Sequence, residues 1–265
     1  MSAKTMIRAS ARTAAFAALV VAGAASAQGL ADLGLSDTQI AAIRYQLAQP
    51  VVAPGIAFGS PVGFGAGWGE IYGAVGGNTQ PENSSGDRLD GSATLGVGLG
   101  DPVNFIGADI GVTAISLKDS FGSDGNVAVK LHHALPEYRA GFAIGVENVG
   151  RWGAAKTQRS STYVVGTKVF DLLPQMPASI NVGFGDHRFV DPFHTGIGVF
   201  GSAAVVVHPQ ASVIVDYTGR DTNAGVSLVP IKTWPVVLSL GAINLGRRNG
   251  NDVEFAGGLG YTLHF

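Results

Sequence analysis

The segment DHRFVDPFH holds Asp186, His187, Asp191 and His194 within nine positions. Oxygen and imidazole ligands so close in sequence could hold a divalent ion. Polar connecting loops carry the same residue types without any metal, and that is the plainer expectation. Ser227, His264 and Glu254 have the chemistry of a nucleophile, a base and its orienting acid. Strand parity turns all three toward one polar face, and no local hydrolase motif accompanies them, so no enzyme is expected. GIGVFG (196–201) fits G-x-G-x-x-G. A dinucleotide site also needs a helix directly afterwards, and none is predicted, so these glycines belong to a strand and no cofactor is expected. His132 and His133 are adjacent, which on a strand sends them to opposite faces.

The third set is dispersed. Glu70, Asp109, Lys130, Glu147, Lys168, Asp216 and Glu254 are charges set singly into otherwise apolar or glycine-rich stretches. If those stretches close into a barrel with the charges inward, the seven line a passage and set its ion preference, mildly cationic because carboxylates dominate. The alternative is that they pair across strands and fill a closed interior.

The elements that carry them alternate with period two. Phe142, Ile144 and Val146 oppose Gly141, Gly145 and Glu147, while Ala108, Ile110 and Val112 oppose Asp109, Gly111 and Thr113. About twelve such strands follow one another between residue 68 and the last residue. Their connections also alternate. GDPV (100–103), LPE (135–137) and HPQ (208–210) are short, whereas NTQPENSSGDR (78–88), GRWGAAKTQRS (150–160) and DHRFVDPFHT (186–195) are longer and polar. Short turns at one rim and long loops at the other describe an up-and-down transmembrane β-barrel. Strands of about 9–11 residues suit a tilted membrane crossing.

Composition agrees. The 265 residues include 39 glycines and no cysteine, and only 14% are charged, against about 25% in ordinary soluble domains. Residues 1–27 have the basic start, apolar run and Ala25-Ser26-Ala27 ending of a cleavable signal peptide. Without Lys4, Arg8 and Arg12, 14 basic residues face 19 acidic ones, a net charge of −5 that argues against a nucleic-acid partner. Residues 28–66 are expected to form a short amphipathic helix near 37–48 and a Gly/Pro linker, lying in the periplasm or plugging a pore. Residues 67–265 form the barrel. The many inward glycines are expected to leave its interior open.

The ending GLGYTLHF, with Tyr261, Leu263 and Phe265 on one face, resembles the C-terminal signature of Gram-negative outer-membrane β-barrel proteins. The resemblance implies an outer-membrane location, a last strand that closes the barrel, and recognition of these three residues by the outer-membrane assembly machinery. KLHHALPE (130–137) and VIVDYTG (213–219) carry a weaker similarity to the barrels of exopolysaccharide-associated outer-membrane proteins. The function expected is a porin-like pore for small polar solutes, with a non-conducting or polysaccharide-export-associated barrel as the alternative and a lipid-acting hydrolase third.

Overall fold

The structure, a computed structural model, describes residues 53–79, 89–115, 121–174, 176–191, 193–247 and 252–265. The helix expected near 37–48 lies outside the described residues. Twelve strands follow in chain order: β1 (Glu70–Thr79), β2 (Leu89–Gly100), β3 (Gly107–Ile115), β4 (Asp124–Leu135), β5 (Ala140–Trp152), β6 (Ser161–Leu173), β7 (Met176–Gly185), β8 (Gly198–His208), β9 (Ala211–Tyr217), β10 (Thr222–Leu228), β11 (Val236–Ile243) and β12 (Glu254–His264). Each pairs antiparallel with its neighbours in sequence, and β12 returns to pair with β1, so the sheet is a closed barrel without an edge. The alternation legible in the terminal strand is what sets this seam: Ile71 lies opposite Leu263 and Val75 opposite Leu259.

The two faces are inverted relative to a water-soluble barrel. Leu95, Ile110, Phe142, Ile144, Val182, Val213 and Leu259 point outward and are exposed, Leu95 by 64% and Phe142 by 56%. The inward positions hold Asp109, Thr167, Asn181, Ser202, Ser212, Asp216 and Ser227, with Ser212, Asp216 and Ser227 wholly inaccessible. Apolar residues outside and polar residues inside follow directly from the period-two pattern, because a closed sheet gives every strand one inner and one outer face.

One sector of the interior is apolar. Tyr163 on β6, Phe200 on β8 and Phe189 in the loop between β7 and β8 form an aromatic cluster, with Phe189 and Phe200 stacked at 4.4 Å. Tyr163 meets both edge-on, at 5.6 and 6.2 Å. The glycines opposite these rings make the cluster possible. Gly145 is paired with Tyr163 and Gly183 with Phe200, and a Cβ at either would strike the ring. Tyr72 lies over Gly96 in the same way. The expectation that inward glycines leave an open interior is therefore corrected: many of them make room for a neighbour's ring.

The short turns share one rim with the start of β1 and the end of β12. There the Asp101 carboxylate caps the turn after β2, accepting from the Asn104 side-chain amide at 2.7 Å and from the Val103 and Asn104 N–H groups at 3.0 Å. Those donors, the Asn104 side chain first, hold its pKa below the usual carboxylate range. At the opposite rim, β5 carries a bulge at Asn148, in the left-handed conformation with φ 58°. Its side-chain amide donates to the Arg159 carbonyl and ties down the following loop.

Candidate functional site

The chain from Gly55 to Gly67 runs through the inside of the barrel as a strap. An extended segment enclosed in a barrel has no ladder of its own, so its N–H and C=O groups must be satisfied by the wall. Gly55 is held near the short-turn rim, donating its N–H to Ser227 Oγ at 2.8 Å and accepting from Ser212 Oγ at 2.6 Å. The Ile56 carbonyl accepts from Ser202 Oγ at 3.0 Å and from the Asn181 amide at 3.3 Å. The strap turns at Phe58–Ser60, next to the long-loop rim. There the buried Asp216 carboxylate accepts from the Phe58 N–H, the Ser60 N–H and the Ser60 hydroxyl, each at 3.1 Å. Arg188, from the loop after β7, donates to the Gly59 carbonyl at 2.9 Å and pairs with Glu147.

The descending limb crosses to the other wall. Gly63 N–H donates to Thr167 Oγ1 at 2.7 Å, and the Phe64 carbonyl accepts from Lys130 Nζ at 2.7 Å. Asp109 stands opposite Lys130 in register and pairs with it at 2.9 Å, while also accepting the Ala66 N–H at 3.0 Å. His132, inward and 2% exposed, presents Nε2 to the Ala66 carbonyl at 3.1 Å. A carbonyl acceptor requires the proton on that nitrogen. The strap leaves at Gly67, whose N–H reaches Glu70, and passes into β1.

Two glycines of the strap are required by this route. A Cβ on Gly63 would run into the Gly141 carbonyl, and one on Gly65 into Asp109 and His132. On the wall, Gly98 faces the backbone of Ala66 and Gly67 just as closely. These positions make space for the chain's own backbone rather than for solute.

Six of the seven charges expected on the inner wall face inward, and each has a partner. Asp109 and Lys130 share an ion pair, Glu147 is bound to Arg188, and Asp216 holds the turn of the strap. Glu70 takes the Gly67 N–H and lies 3.3 Å from His264, while Glu254 accepts from Asn78 and Asn244. Of these carboxylates, only Asp109 and Glu147 are paired with a Lys or Arg. Asp216 and Glu254 are held by neutral donors that do not cancel their charge, so the inward wall stays acidic on balance. Lys168 is a correction. It lies opposite Ile180 and two residues from Gly166 on the outward row of β6, where it is exposed and donates to the Tyr138 carbonyl. The inward row of β6 is Tyr163, Val165 and Thr167.

The other candidates are dispersed. His187 lies 3.1 Å from Asp186 and His194 lies 3.5 Å from Asp191, but no group of three or more potential metal ligands forms among the described residues. These four residues line a polar pocket of about 1090 Å³ at the long-loop rim, with Arg159, Arg188 and Arg220. Glu254 and His264 stand at opposite ends of β12, about 33 Å apart along the strand. Ser227 is committed to Gly55, so the three form no catalytic set. His133 faces outward, away from His132, and GIGVFG runs into β8.

On its two limbs the strap is bonded to or packed against β2–β10. Beside its turn, a cavity of about 660 Å³ remains against the other wall, lined by Phe58, Arg188, Gly76, Ser92, Ser239 and Gly258, among others. Most of the inward side chains there are glycine, alanine or serine. Sequence reasoning missed Ser212, Ser202, Asn181 and Thr167 as strap-binding residues. Their inward parity and hydrogen-bonding type were visible, but their ligand was not. No protein-family model and no curated protein matches the chain.

Proposed function

We propose that the chain is an outer-membrane β-barrel, exported with a cleavable signal, that admits small polar solutes through the part of its lumen left beside the strap. The observation that carries the membrane placement is the inverted barrel: a closed sheet with polar residues inside and an exposed apolar wall outside presents the surface that hydrocarbon suits. Exposed Trp68, Phe105, Tyr138 and Trp234 near the short-turn rim fit an interfacial aromatic girdle. Tyr261, Leu263 and Phe265, all exposed on β12 and its end, are available to the assembly machinery.

The passage itself rests on the 660 Å³ cavity, whose wall is largely small residues such as Gly76, Ser92, Ser239 and Gly258. Because inward carboxylates outnumber Lys130 and Arg188, which pair with two of them, selectivity is set by size with a mild preference for cations. In planar bilayers the refolded protein is expected to give small, steady channels with a mild preference for potassium over chloride. Silence at all voltages would refute the passage while leaving the membrane placement intact. The strap favours the second reading, a non-conducting envelope barrel, and that silence is what it predicts.

A further inference from the structure

The outer wall carries one anomaly. Among the described residues, Lys168 is the single Asp, Glu, Lys or Arg at an outward-facing position of the paired strands. A lysine on a lipid-facing strand is costly at mid-depth and is tolerated near the headgroups, where its ammonium finds water or phosphate. Lys168 lies opposite Ala140, next to the turn between β4 and β5, which places it toward the short-turn rim.

Directly beside it on the same wall lies an apolar groove of about 510 Å³. Phe142, Ile144, Val164, Val182 and Phe184 wall this groove, and Gly166, with no side chain, forms part of its floor. Gly166 is paired with Phe142 on one side and Val182 on the other, one outward row from Lys168. The groove and the cation are therefore consecutive along β6. The other basic groups nearby are engaged: Arg139 makes a double hydrogen bond to Asp171 at 2.7 and 3.1 Å, and His133 uses Nδ1 on the Phe105 carbonyl. Lys168 gives one of its three N–H donors to Tyr138, leaving two unassigned among the described residues.

We infer that this face binds one anionic glycerophospholipid of the leaflet on the short-turn side, with its phosphate on Lys168 and an acyl chain in the groove. The inference rests on the membrane placement above. Charge complementarity selects the occupant: an apolar slot that ends at a lone cation matches an acyl chain that ends at an anion, and a protein partner would have to supply the same combination. A zwitterionic lipid also carries a phosphate, but its own cation opposes the lysine.

The test uses the full mature chain refolded into phosphatidylcholine vesicles, with trace spin-labelled phosphatidylglycerol or phosphatidylcholine. The motionally restricted fraction is expected to favour phosphatidylglycerol by the excess that one site with a roughly five-fold preference, the size of one lysine's attraction to an anionic headgroup, adds to the whole boundary shell. Lys168→Met should abolish the preference and Lys168→Arg should keep it. An unchanged preference in Lys168→Met, with the chain inserted and folded, would overturn the site alone. Failure of the wild-type chain to enter the vesicles would overturn the membrane placement, and the site with it.

Discussion

Deleting residues 28–66, so that the folded chain starts at Gly67, is expected to raise single-channel conductance several-fold. The strap from Gly55 to Gly67 lies inside the lumen, bonded to walls from β3 to β10, and its removal vacates that space. The groups it releases, among them Asp216, Thr167, Ser202 and Ser227, would be rehydrated by incoming water, so the barrel survives the loss. Asp216→Ala, by contrast, removes one acceptor and leaves the Phe58 and Ser60 N–H groups without it, while the Ser60 hydroxyl keeps the Tyr217 carbonyl. Each buried donor stranded in this way costs about 1–3 kcal/mol. The cheaper response is for the turn at 58–60 to leave its seat, and noisy openings above the wild-type level are expected. Equal conductance in wild type, deletion and Asp216→Ala would show that the strap does not limit the passage.

Phe200→Ala is expected to cost about 3–5 kcal/mol, the range for removing a large ring from a well-packed core. Phe200 is 1% exposed and stacks on Phe189, and Gly183 opposite cannot fill the space. The cavity would open beside the aromatic cluster that anchors the loop after β7, the loop from which Arg188 reaches the strap. Urea midpoints measured on the folded barrel in detergent would report the loss. A change below about 1 kcal/mol, the scale of a conservative core substitution, would mean that the cluster does not support the barrel. A paired measurement on Phe142→Ala, at an outward and half-exposed ring, should give the smaller effect.

How far the sequence could be read differs by element. The twelve strands, their antiparallel order and the seam at the last strand follow from period-two alternation and loop length, because a closed sheet leaves those patterns no freedom. Lys168 shows where parity fails. On β6 both rows carry apolar residues, since Tyr163 and Val165 build the inner aromatic cluster while Val164 faces out. Residue type cannot then decide which row is inside, and a rule that sends every charge inward misplaces Lys168. The strap was hidden for a different reason. Its residues bind through backbone groups, so PGIAFGSPVGFGAG (54–67) shows no periodicity and reads as a linker. Inward glycine is ambiguous in the same sense: the absence of a side chain does not say whether water, a ring or another backbone takes its place.

If hydrocarbon covers the outer wall formed by Leu95, Ile144, Leu259 and their neighbours, the folded chain belongs in lipid. Flotation of the folded chain on a density gradient, with and without lipid vesicles, tests it most directly. The folded protein is expected to rise with the vesicles, to stay with them through alkaline washing, and to precipitate when both lipid and detergent are withdrawn. A folded, monodisperse monomer in plain buffer, remaining at the bottom of the gradient, would contradict it.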